Sequence, residues 1–218
     1  MSRSDQKYLQ SLIAQGEHQE LDFKFEISDA RKIARTLSAF SNTDGGRLLI
    51  GVKDNGRISG IRSDEEYYMV ESAASIFSRP EVKFESHTYD IDGKTVLEIF
   101  IPRVTRKPVY ARDDTSQWIA FHRVADQNIQ ASIIRLQVWK EENKTRGKFL
   151  RFTRREEFLL QYIQDSPGKH LKQIQADTGF RRKELINLLT KLVRFDVVMM
   201  AFREGEDRFF LSDRPGES

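Results

Sequence analysis

The chain has 218 residues, 39% of them hydrophobic, with 36 Lys and Arg against 33 Asp and Glu and no cysteine. That is length enough for one large core or two modest ones. The lack of cysteine excludes disulfides, thiolate zinc sites and cysteine nucleophiles, so only carboxylates and the histidines at 18, 87, 122 and 170 remain as candidate metal ligands.

No apolar run approaches the roughly 18 residues of a membrane span, and the start MSRSDQKYLQ lacks the apolar stretch of a secretion signal. A cytoplasmic protein with no membrane partner is expected. The charge is uneven along the chain. Residues 1–143 carry 20 basic side chains against 22 acidic, residues 144–218 carry 16 against 11, and 144–194 alone carry 13 against 5. A short segment with that excess attracts polyanions, of which nucleic acid is the common intracellular one. A basic surface that serves only solubility is the plainer alternative.

In chain order, Leu9, Leu12 and Ile13 predict a short amphipathic helix over 6–15, and Glu20 to Phe25 alternates like a half-buried strand. Ser28 is placed to cap a helix reaching about Ser41, with Ile33, Ala34, Leu37 and Phe40 on one face. Asn42 to Gly46 breaks it. Arg47 to Val52 reads as a central strand, and Asp54-Asn55-Gly56 as a turn returning through Ile58 in a hairpin. A helix over 64–77 and strands over 82–90 and 94–101 follow, then a looser segment from Trp118 to Arg123. Strands and helices mix without strict βαβ alternation, so an α+β fold is expected. The charged stretch Lys140–Lys148 reads as a linker, which places the domains at 1–145 and 146–218.

The second domain opens on a capping box, Thr153 to Glu156, with Phe158, Leu159, Tyr162 and Ile163 expected to be buried. Helices over 171–178 and 181–195 flank a turn at Gly179, and runs at 197–202 and 208–211 predict a hairpin. Helix, helix, helix, hairpin is the order of a winged helix-turn-helix. Burying Leu185, Leu188, Leu189 and Leu192 leaves Arg181, Arg182, Lys183, Asn187, Lys191 and Arg194 on the other face. In a helix-turn-helix such residues enter the major groove. Arg181, Arg182 and Asn187 are then candidates for bases, and Lys172, Lys183, Lys191 and Arg194 for phosphates. Winged helices also serve as protein-docking modules, and an acidic hairpin turn at 204–207 repels phosphate, so an assembly module is a second alternative.

The motifs Glu17-His-Gln-Glu-Leu-Asp22-Phe-Lys24, Ala39-Phe-Ser-Asn-Thr-Asp-Gly-Gly46, Leu49-Ile-Gly-Val52, Asp54 and Gly56 to Gly60 resemble the AlbA-type domain shared with Schlafen proteins, over about 17–132. Lys107-Pro108 and His122-Arg-Val124 resemble its closing segment, with Ala125 where glycine is usual. The resemblance implies a Schlafen/AlbA-like domain. In bacteria such domains are often followed by winged helices in predicted transcriptional regulators, so it also implies a regulator that binds DNA or RNA. Such a regulator, reading duplex symmetrically, is expected to be a homodimer.

Some members of the family cleave RNA with three acidic residues, and the matching positions are Glu17, Asp22 and Asp54. If they act here, they form a Mg²⁺- or Mn²⁺-dependent nuclease, the alternative function. Asp22 is shorter than the family's glutamate, and each of the three also has an ordinary structural use. Lys24 is a candidate phosphate contact in either case. Otherwise no cofactor is expected: Gly46 to Lys53 fails as a phosphate-binding loop because Val52 separates Gly51 from Lys53 and the segment reads as a strand. The histidines lack metal-ligand spacing.

Overall fold

The computed structural model describes residues 3–144 and 152–212, and the chain divides into two compact units, Met1–Ala131 and Ser132–Ser218. The first unit contains α1 (Arg3–Ile13), β1 (Leu21–Lys24), α2 (Ala30–Asn42), β2 (Gly46–Ile50), α3 (Glu65–Ser75), β3 (Ser78–Arg79), β4 (Glu85–Ile91), β5 (Lys94–Ile101), β6 (Tyr110–Arg112), β7 (Trp118–Val124) and β8 (Gln127–Gln130). One sheet has the order β1-β2-β5-β4, with β1 and β2 parallel and the other pairs antiparallel. The second, β3-β6-β7-β8, is antiparallel throughout. The fold is mixed α+β.

From Ile33 to Asn42, α2 is buried on every side except at Arg35, as a helix can be only with neighbours all round. Its Ile33, Leu37 and Phe40 share a core with Leu48, Ile50, Leu97 and Ile99 of the first sheet and with Ala111 of the second. On the other face of the first sheet, Leu9 and Leu12 of α1 pack with Phe23, Leu49, Tyr89 and Val96. Successive β2 residues thus point into two different cores, which is why the strand is apolar without alternation.

Polar groups of α2 tie it to the second sheet. The Asn42 amide donates to the carbonyls of Val109 at 2.8 Å and Phe121 at 2.9 Å, while its Oδ1 accepts from the Val109 N–H at 2.7 Å. Ser38 Oγ donates to the Val109 carbonyl at 2.8 Å and accepts from the Phe121 N–H at 3.1 Å. Buried amides and hydroxyls are tolerated because they are satisfied in this way. At Gly46 a Cβ would lie 2.5 Å from the Phe40 ring, so close approach of helix and strand requires glycine there.

Three local expectations change. The α2 cap is Asp29, whose carboxylate accepts from the Arg31 N–H at 2.9 Å, and not Ser28. The return after the Asn55-Gly56 turn is a single Val52–Ile58 bridge, because β1 and β5 already occupy both edges of β2. Trp118 to Arg123 lies in a regular strand, β7, held between β6 and β8.

The second unit contains α4 (Ile133–Glu142), α5 (Arg154–Asp165), β9 (Lys169–His170), α6 (Leu171–Thr178), α7 (Arg182–Arg194), β10 (Val198–Arg203) and β11 (Glu206–Leu211). β10 and β11 form an antiparallel hairpin, and β9 adds to β11. Leu159 and Ile163 of α5, Ile174 of α6, Leu185, Leu189 and Leu192 of α7, and Phe209 of β11 form the core. Ile134 and Val138 of α4 belong to it as well, so the division falls at 131/132 and differs from the expected 145/146. Residues 140–142 of the expected linker are helical, and its 145–148 portion lies outside the described residues. Phe158, expected in the core, is 53% exposed and meets Phe180 edge to face at 5.8 Å.

Candidate nucleic-acid interface

α6 ends at Gly179, which takes the left-handed conformation (φ 70°) and donates its N–H to the Gln175 carbonyl at 3.1 Å. A side chain in that conformation is costly, so the glycine sets the tight turn. Arg181 is extended, and α7 begins at Arg182. With Leu185, Leu188, Leu189 and Leu192 buried as expected, Arg181, Arg182, Lys183 and Asn187 are exposed, as is Lys172 on α6. Among the described residues, none of these four cations is in an ion pair.

The later part of the same stripe is engaged. Lys191 Nζ lies 2.5 Å from Glu156 Oε1, and the Thr153 N–H donates to Glu156 Oε2 at 2.9 Å. Burial disfavours the charged carboxylate, but the hydrogen bonds from Lys191 and Thr153 outweigh it and hold the Glu156 pKa down at about 2. Arg194 is 16% exposed, sits over the Phe195 ring at 5.6 Å and has Glu141 Oε2 at 3.8 Å. Lys191 and Arg194, both expected at phosphate, thus each face a carboxylate of the chain itself. The reason is α4, which packs on α7 with the Thr190 hydroxyl donating to Gln137 Oε1 at 3.0 Å, and which supplies Glu141.

The acidic hairpin turn is largely compensated within the unit. Glu204 pairs with Arg208 at 2.5 Å, Asp207 pairs with Arg135 at 3.2 Å, and Glu206 lies 3.3 Å from His170 Nε2.

In the first unit, Asp22 is buried in β1, with Oδ1 3.0 Å from Arg123 Nη2 and Oδ2 2.6 Å from Lys24 Nζ. Arg123 is itself buried, donates to Asn128 Oδ1 at 2.9 Å and the Leu21 carbonyl at 3.3 Å, and lies 5.0 Å from the Phe40 ring centre. Glu17 accepts from the Phe23 N–H at 2.9 Å. Its pKa is raised, first by burial, against the Phe23 hydrogen bond and Lys24, and further by the charges of Asp22 and Asp54. Glu17 thus feels the other two carboxylates, yet Asp54 is exposed at its turn. Among the described residues no group of three His, Asp or Glu is placed to hold a metal ion.

The Mg²⁺ or Mn²⁺ site that the alternative nuclease reading requires does not fit these residues. A hard cation needs free carboxylate oxygens, and both Asp22 oxygens already face cations. Lys24 is spent on the same carboxylate and on the Phe23 carbonyl at 2.7 Å, so it is not the open phosphate contact expected.

The Schlafen, AlbA_2 family model matches residues 17–132, more than half of the chain. The chain belongs to this family. Among solved structures it is similar to the N-terminal domain of a putative ATP-dependent DNA helicase RecG-related protein from Nitrosomonas europaea, with 25% identity, a TM-score of 0.42, and coverage of 58% of this chain and 92% of that one. It is also similar to the DIP2311 protein of Corynebacterium diphtheriae, with 17% identity, a TM-score of 0.47, and coverage of 96% of this chain and 39% of that one. No curated protein matches it. Within the matched region, Asn42 and Thr43 of the Ala39–Gly46 block tie the end of α2 to β7, and Gly46 allows the close approach of Phe40 to β2.

Three partners were missed at the level of sequence: Arg123, Glu141 and Glu156. Arg123 lay inside a recognised motif but without a role, Glu141 in an expected linker, and Glu156 in a capping box that explains only part of its bonding. A signal for α4 was present, since Ser132 precedes Ile134 and Val138 at helical spacing and its side chain accepts from the Arg135 N–H.

Proposed function

We propose that the chain binds nucleic acid through its second unit, a winged helix, as a DNA-binding transcriptional regulator acting as a homodimer. The observation that carries this reading is the set of exposed cations with no ion pair among the described residues: Arg181, Arg182 and Lys183 at the start of α7, and Lys172 in the first turn of α6. Side chains at the beginning of the second helix of such a motif reach base edges, and neighbouring lysines contact phosphate. Asn187, one turn further on, is exposed on the same helix. The positive end of the α7 dipole adds to the attraction. Membership in the Schlafen, AlbA_2 family supports a nucleic-acid-related role. Compensation of Glu204 and Asp207 lessens the repulsion expected at the hairpin.

The test is duplex binding by fluorescence anisotropy across a salt series, followed by selection of bound sequences from a random pool. Affinity is expected to fall steeply with salt, with a log–log slope of about −3 to −4 if the four cations each displace counterions. Affinity that is absent or independent of salt removes the reading. Sedimentation of the free chain and of its complex reports on the dimer.

A further inference from the structure

A groove of about 530 Å³ runs between α4 and α7, wholly within the second unit. Cavities of this size take small ligands. Lys140, Lys144, Lys191 and Arg194 line it, against Glu141 as the one acid among the described lining residues. That carboxylate is divided between Lys144, 2.5 Å from Oε1, and Arg194, 3.8 Å from Oε2. Glu156, a partner of Lys191, is a second acid within reach, so among the described residues four cations face two carboxylates.

The rest of the lining is not charged. Phe195 forms part of it, with the Arg194 guanidinium over its ring, and Asn187 supplies an amide. A guanidinium carries five donors, more than one distant carboxylate uses. An aromatic surface below and cations in excess around it suit a flat ring that bears a negative group.

We propose that this groove binds a mononucleotide-like anion, with its phosphate held by Lys140, Lys144 and Arg194 and its heterocycle against Phe195. Asn187 lines the groove and is also a candidate base contact, so occupancy of the groove lowers duplex affinity. That consequence, though not the site, rests on the reading of α7 as the duplex-binding helix.

Calorimetric titration of the full chain with AMP at low salt tests the site, with adenosine and inorganic pyrophosphate as probes of each half of the ligand. AMP is expected to saturate one site, about tenfold tighter than either probe. Lys140→Gln with Lys144→Gln is expected to weaken AMP binding about tenfold, while Glu141→Gln, which releases Arg194 and Lys144, is expected to tighten it about threefold. Opposite signs from neighbouring substitutions exclude misfolding as the cause. No saturable AMP binding, or AMP binding indifferent to these changes, overturns the proposal. Pyrophosphate binding as tightly as AMP overturns its aromatic part. If AMP saturates while no duplex is bound, the groove stands and the regulator reading falls. Duplex binding without AMP binding has the reverse meaning.

Discussion

At the start of α7, Arg181, Arg182 and Lys183 are exposed and outside any ion pair among the described residues, whereas at its end Lys191 rests on Glu156 and Arg194 faces Glu141. The residue types are the same and the helix is the same. What differs is the neighbour: near the first turn α5 brings a base, Arg155, which pairs with Glu184 and leaves the cations there without a described acid, while α4 and α5 bring acids to the last turns. Cationic stripes on helices therefore have to be weighed by their partners, because a phosphate has to compete with the carboxylate that already holds a paired cation. Asp22 and Asp54 make the same contrast in the first unit, one locked between Arg123 and Lys24 and the other exposed.

The largest expected effect tests that second contrast. Asp22→Ala leaves the Arg123 guanidinium buried without its carboxylate, which costs on the order of 3–5 kcal/mol. Asp54→Ala, at an exposed turn, is expected to stay within about 0.5 kcal/mol. Urea unfolding of the two variants compares them directly, and equal losses would break the distinction between a paired and an open carboxylate.

Next in size is the closed end of α7. Glu156→Ala removes this carboxylate from Lys191 and is expected to cost about 2–3 kcal/mol, somewhat below a fully buried pair because Lys191 keeps partial access to water. Trp139, buried in α4, reports on this unit by fluorescence, and Trp118→Phe removes the signal of the other tryptophan. The pair also sets a pH dependence. The Glu156 pKa is about 2 in the folded chain against its ordinary 4.5, so its stabilisation is complete above about pH 4.5 and is lost as pH falls towards 2. Glu156→Gln is expected to flatten the unfolding midpoint over that window. An unchanged acid profile would mean that the Lys191 bond does not hold the carboxylate ionised.

At the open end, replacing Arg181 and Arg182 together by Ala is expected to weaken duplex binding by about 2 kcal/mol and to reduce the salt slope by about two, as for two lost cationic contacts. The smallest effect is expected at the closed end: Lys191→Gln is expected to change duplex affinity by no more than about twofold, since its charge is already used. Were Lys191→Gln to match the double arginine variant in anisotropy, the two ends of α7 would be equivalent to the nucleic acid, and pairing would not decide availability.

Much of the fold was legible because its signals are local. The Thr153–Glu156 box, the Gly179 turn and the leucines of α7 each occupy a few successive residues and act through backbone geometry. The β6 and β8 strands and α4 were harder to see. β6 spans three residues, β8 carries polar residues at both ends, and α4 has only Ile134, Val138 and Trp139 buried in ten positions. Phe158 misled for a related reason: it occupies an apolar place in the helical pattern, but α5 buries Leu159 and Ile163 instead.

Composition and periodicity by themselves determined the mixed α+β character, the basic excess towards the C-terminal end and the face of α7 that looks outward. Only the tertiary structure decided which of those charges remain open. The deciding pairs, Asp22 with Arg123, Glu156 with Lys191 and Glu141 with Arg194, join residues far apart in the chain. An ion pair depends on a separation of a few ångströms, and for residues so distant in sequence that separation is set by how helices and strands pack, not by the spacing of letters along the chain.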